Sequence, residues 1–124
     1  MKVYGLTVRL KNDPEKIAAY KAYHRAVWPE VLARLRSFGV HQMRIFLHEN
    51  RLFMYLETDD DFDPRRDFPR IKEAPKSKEW NEIMATLQER SADEGWSPME
   101  LVFDLNWPEN LSTEDTRGTR REEA

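Results

Sequence analysis

Apolar residues alternate with polar ones from the start of the chain. Tyr4, Leu6, Val8 and Leu10 occupy every second position of residues 3–10, the period of a strand with one buried face. The period then lengthens. Ile17, Tyr20, His24, Val27, Val31 and Leu35 recur every three or four residues, which traces one face of a helix. Asp13 suits the N-cap of that helix, Pro14 its first position, and Glu15 the positive end of its dipole. Gly39 suits the residue just past its end. Pro29 interrupts the pattern and has no N–H to donate, so a kink or break is expected near Ala26–Trp28. Residues 40–48 and 51–58 read as two strands joined at Glu49-Asn50 into an antiparallel hairpin. Residues 59–66, with four aspartates and two arginines, read as a charged loop. Residues 76–90 carry Trp80, Ile83, Met84 and Leu87 on one helical face, and residues 98–105 form a fourth strand.

The order is β-α-β-β-α-β, the split βαβ or ferredoxin-like arrangement of an α+β protein. Two helices cover one face of a four-stranded antiparallel sheet. The other face is not polar. In the third strand Leu52, Met54 and Leu56 point one way, while Phe53 and Tyr55 point the other. A sheet apolar on both sides must bury both. A second copy of the chain is the simplest cover, so a twofold homodimer with its sheets face to face is expected. Residues 106–124 differ from the rest: eight of these 19 are charged, and Trp107, Leu111 and Ala124 alone are apolar. Such a segment buries too little to offset its ordering entropy. The expectation is one domain over residues 1–105 and a flexible charged tail over 106–124.

Composition narrows the chemistry. The 124 residues include no cysteine, which excludes disulfides, Cys-ligated metal and a thiol nucleophile. A net charge of −3 gives no electrostatic reason to expect nucleic acid. No apolar run approaches the roughly 20 residues that span a bilayer, and the N-terminus lacks a secretory pattern. The expectation is a soluble cytoplasmic protein with no membrane partner. His41 and His48 have an odd separation, so a regular strand points them to opposite faces, and no H-E-x-x-H spacing occurs. The aspartates at 59, 60, 61 and 63 lack the glycine and closing glutamate of a calcium loop. Neither a phosphate-cradling glycine loop nor a G-x-S-x-G serine is present. No metal or cofactor is called for.

The segment Tyr20-x-x-x-His24-x-x-x-Trp28-Pro29-Glu30 is the most informative. Tyr20 and His24 share a helical face at i and i+4. Trp28 follows one turn later, unless the Pro29 kink swings it away. Two accounts fit. One is a half-buried histidine satisfied between helix and sheet. The other is an imidazole poised for proton transfer near neutral pH, set among aromatic surfaces that hold sugar rings. Trp80 is similarly either core or cavity wall. Asn81, off the apolar stripe, is placed to hydrogen-bond a ligand hydroxyl. Trp96 and the alternate residues Glu100 and Val102 are weaker candidates.

The same segment, followed by Gly39 and the hairpin, resembles the L-rhamnose mutarotase family. Asn50–Met54, Asp59–Phe62, Trp80 and Met99–Leu105 look like its branch associated with L-fucose metabolism. The resemblance runs from about residue 3 to 105. It implies a dimeric α+β barrel that interconverts α and β anomers of a 6-deoxy-L-hexose without metal or organic cofactor. It implies that His24 is the general acid and Tyr20 a substrate contact, with Trp80 and Trp28 as walls. Asn81 stands where the family has the second tryptophan of a pair, and Met43 where rhamnose enzymes carry a further substrate-contacting tyrosine. The fold alone decides nothing. A cofactor-free monooxygenase, a haem-binding protein with His24 as axial ligand, and a non-enzymatic sugar-binding module are the competing readings.

Overall fold

A computed structural model describes residues 1–90 and 95–106. Eight elements follow in order: β1 (Lys2–Arg9), α1 (Pro14–Arg25), α2 (Pro29–Ser37), β2 (Val40–His48), β3 (Arg51–Thr58), α3 (Pro64–Ile71), α4 (Pro75–Leu87) and β4 (Ser97–Met99). The strands form one antiparallel sheet in the order β2-β3-β1-β4, so the α+β ferredoxin-like arrangement is present. The charged tail, apart from Asn106, lies outside the described residues.

The long first helix is two helices. Asp13 caps α1 by accepting from the Glu15 N–H at 2.9 Å. Pro29 cannot donate to a preceding turn, so α1 ends at Arg25 and α2 begins afresh at Pro29 with Trp28 as its extended N-cap. Gly39 lies just past α2 with φ of 91°, where a Cβ would meet the Asp59 carboxylate at 2.4 Å. Only glycine fits that turn without strain.

Two expectations are corrected. The stretch read as a charged loop becomes helical at Pro64. Asp63 accepts from the Arg65 N–H at 3.0 Å, and buried Asp67 accepts from the Asp63 N–H at 2.9 Å. This reciprocal cap starts α3 despite its charge and its internal Pro69. The fourth strand is shorter than residues 98–105. It pairs with β1 only through Ser97, Pro98 and Met99. In that register Leu101 falls opposite Val3 and Phe103 opposite Met1, so later residues run past the end of β1.

Alternation in β3 sets the layers. Leu52, Met54 and Leu56 are 1%, 3% and 0% exposed beneath the helices, and Phe53 on the opposite face is 37% exposed. The core divides into two packed groups. One gathers Leu6, Val40, Met54, Leu56, Phe62 and Ile71, and the other Leu10, Tyr20, Leu52, Met84 and Leu87; Trp96 packs against both. Asn50 ties the hairpin turn to the end of β1, donating to the Leu10 carbonyl at 2.9 Å while its own carbonyl accepts from the Leu10 N–H at 2.7 Å.

Candidate active site

A cavity of about 280 Å³ lies between the helices and the buried face of the sheet. Its floor is apolar, built from Leu6, Met43, Ile45 and Met54. Its roof carries Tyr20 and His24 from α1, Trp80, Asn81 and Met84 from α4, and Gln88 just past the end of α4. Trp80 and Met84 are one i+4 step apart, so one face of α4 turns both inward, while Gln88 follows in extended backbone just past the helix.

His24 sits in the last turn of α1. Its ring stacks on Tyr20 with centroids 4.1 Å apart and 27° between planes. Trp80 meets it edge-on at 5.4 Å. Nδ1 of His24 lies 2.9 Å from the Tyr20 backbone carbonyl. A carbonyl only accepts, so Nδ1 carries a proton and donates it there. In the neutral ring Nε2 is then an acceptor, the nitrogen left to exchange protons with a ligand. Burial pushes the His24 pKa below its ordinary value of 6.5, and the bond to the Tyr20 carbonyl only partly offsets this. The resting ring is therefore neutral at pH 7.

Tyr20 is 4% exposed. Burial raises the pKa of its phenol, with smaller opposing effects from the Gln88 side chain and the Arg90 charge, so the hydroxyl stays protonated. Gln88 is itself buried at 1% exposure. Arg90 Nε donates to Gln88 Oε1, and Arg90 Nη2 donates to Asn81 Oδ1 at 2.9 Å. A guanidinium only donates, so Arg90 fixes the carboxamide oxygen of Gln88 toward itself. The amide NH₂ is the end left for the Tyr20 hydroxyl oxygen, which frees the Tyr20 proton to be donated elsewhere.

The residues singled out from sequence separate into two groups. Tyr20, His24, Met43, Trp80 and Asn81 all line the cavity, as does Trp96. Trp28 does not belong to the lining. After the Pro29 break it meets Trp80 edge-on at 5.2 Å, so it braces that ring from outside the cavity lining. Glu100 is exposed and also outside the lining. Gln88 and Arg90 were missed. Extending the Trp80–Met84 step by four more residues would have flagged a polar side chain on an apolar stripe.

With this geometry in view, comparison with known proteins is decisive. The sequence model of the L-rhamnose mutarotase family matches residues 3–105. The chain belongs to the L-rhamnose mutarotase family. An L-fucose mutarotase of Xanthomonas campestris pv. campestris is 31% identical over 103 residues, covering 78% of this chain and 82% of the relative. A UPF0734 protein of Dictyostelium discoideum is 45% identical over 114 residues, covering 86% and 91%. The crystal structure of an L-rhamnose mutarotase from Formosa agariphila superposes with a TM-score of 0.66 at 23% identity, covering 86% of this chain and all of that one. That likeness is one of fold. Membership in the L-rhamnose mutarotase family makes the chain an enzyme of the sugar mutarotase class.

Proposed function

We propose that this enzyme interconverts the α and β anomers of a 6-deoxy-L-hexose without a cofactor, L-fucose ahead of L-rhamnose. The observation that carries the reading is the tautomer of His24: Nδ1 is committed to the Tyr20 carbonyl, in a ring that lines the cavity. Neutral Nε2 takes the proton of the anomeric hydroxyl. The imidazolium so formed returns that proton to the ring oxygen as the bond between C1 and the ring oxygen breaks. The open aldehyde rotates and recloses by the reverse path. One proton moves between two oxygens and nothing else is consumed. His24 thus serves first as base and then as the acid that the family resemblance implies. Positioned acid–base help of this kind contributes roughly 10²–10⁴-fold.

Tyr20 donates to a sugar oxygen, and Trp80 covers one face of the ring. The apolar floor of Met43, Ile45 and Met54 suits a C6 methyl better than a C6 hydroxyl, which would lie there unpaired. Met43 cannot donate a hydroxyl hydrogen bond, and Asn81 is held by Arg90. At these two positions the chain departs from the rhamnose pattern, and an L-fucose mutarotase is among its relatives; together these support placing L-fucose first. The test is saturation-transfer NMR of anomer exchange on L-fucose, L-rhamnose, L-galactose and D-ribose. The reading expects enhancement on the 6-deoxy sugars, strongest for L-fucose. Equal, uncatalysed exchange on all four contradicts it.

The proposal includes a homodimer joined through the open sheet face. Phe46 and Phe53 stack there at 6.2 Å while 56% and 37% exposed. Leu101, Val102, Phe103 and Leu105 are 52%, 77%, 67% and 83% exposed beyond β4. A twofold pairing buries this apolar surface against its own copy.

A further inference from the structure

We propose that Ser77 is a further substrate-binding residue, whose hydroxyl pairs with a sugar hydroxyl remote from the anomeric carbon. The inference rests on the mutarotase reading of the same cavity. Ser77 lines that cavity one turn before Trp80 on α4. The residue is 5% exposed, and its Oγ has no hydrogen-bond partner, the one such buried side-chain atom among the described residues.

A helical serine or threonine has an ordinary way out of this predicament: it bonds the carbonyl three or four residues back. Thr86 in the same helix does so, donating to Ile83 O at 2.6 Å, and Ser37 in α2 donates to Arg34 O at 2.7 Å. Ser77 does not. Arg65 and Lys72 also line the cavity, yet neither they nor any other described residue bonds the Ser77 hydroxyl. An unpaired buried hydroxyl carries the whole desolvation cost of the group until something supplies a partner.

A bound sugar supplies it. A hydroxyl of the sugar both donates and accepts, as serine does. The catalytic ring of His24 packs against Trp80, and Ser77 lies one helical turn, about 5 Å, along the axis from Trp80. A pyranose with C1 at His24 extends its distal hydroxyls over that distance. A contact so far from C1 is the same in ground and transition states, and so it acts on KM more than on kcat.

The experiment compares wild type with Ser77→Ala and the near-isosteric Ser77→Cys. Anomer exchange on L-fucose and L-rhamnose is measured by NMR, and thermal unfolding is followed with and without each sugar. The expected result for Ser77→Ala is a KM raised about three- to tenfold, with kcat within about twofold. The sugar-induced rise in Tm shrinks, while Tm without sugar is unchanged or higher, because an unpaired hydroxyl has been removed. Ser77→Cys falls between. A loss confined to one sugar assigns the contact to C2 or C4, where the two differ. An equal loss assigns it to a hydroxyl they share. Unchanged KM and unchanged sugar-induced stabilisation overturn the assignment, as does a lower Tm without sugar accompanied by equal losses in kcat and kcat/KM. If wild type binds sugar without accelerating exchange and Ser77→Ala loses that binding, Ser77 stands and the mutarotase reading falls.

Discussion

The ionisation of His24 decides which direction the proton first moves. Burial lowers its pKa from 6.5, so the folded ring binds a proton less readily than the unfolded one. The base-first mechanism therefore predicts a kcat/KM that is level above neutrality and falls as pH drops below 6.5 through the folded-state pKa. An imidazolium that had to act first would show the opposite, a loss of rate as pH rises. The same shift has a stability sign: the contribution of neutral His24 is present above pH 6.5 and declines below it. Replacing Tyr20 by Phe removes the donated proton while keeping the stack on His24. Weaker sugar affinity with an intact fold is expected by titration, and unaltered affinity would remove the contact. Tyr20 and His24 were legible in the sequence because i, i+4 spacing puts them on one face of α1, and Trp80 because it opens an apolar stripe on α4. Arg90 was not, since its role depends on Gln88 leaving the helix beyond Leu87 to bridge Leu10, a tertiary event that no local pattern announces.

Among the elements, α3 shows most clearly where sequence pattern fails. Its helix-start signal was present as Asp63-Pro64, and Pro64, Asp67, Phe68 and Ile71 fall at helical spacing, but the segment is only eight residues long, strongly polar and interrupted by Pro69. What holds it is the Asp67 carboxylate, buried under Arg66 and Arg70. The hydrogen bond from Arg66, helped by the Asp63 N–H and the arginine charges, brings the Asp67 pKa from 3.8 down to about 2 against the cost of its burial. Stability from this group is complete above pH 3.8 and is lost as pH falls toward about 2. Asp67→Asn should lower Tm at neutral pH and flatten the acid limb of the stability curve. An unaltered acid limb would show that the carboxylate is not the stabilising partner. Gly39→Ala places a Cβ in left-handed backbone against Asp59, with an expected loss of about 1–2 kcal/mol from conformation alone. A denaturant midpoint equal to wild type would contradict that requirement. Gly39 was readable as a stop signal from sequence; its steric conflict with Asp59 was not.

For the molecule as a whole, the alternating pattern of β3 was enough to reveal both the layered α+β fold and its second apolar face. The break at Pro29 was equally legible, since it follows from proline's covalent structure. The length of β4 was not: with Gly5 opposite Met99, Leu101 and Val102 still fall opposite Val3 and Lys2 of β1 yet do not pair, and only residues from Phe103 onward run past the end of β1. If two subunits meet on the open face, Phe53→Arg places like charges opposite each other across a twofold axis. Sedimentation should then show a single-chain species where wild type forms pairs. A wild type that sediments as single chains at all concentrations would contradict the dimer.

Anomer exchange by His24→Ala, followed by saturation-transfer NMR on L-fucose beside the wild-type enzyme, bears most directly on the imidazole as the proton carrier. The account predicts a fall of roughly 10²–10⁴-fold toward the spontaneous rate, with a thermal midpoint close to wild type because the ring is only partly buried. Exchange that persists at the wild-type rate would take His24 out of the reaction and the proposed chemistry with it.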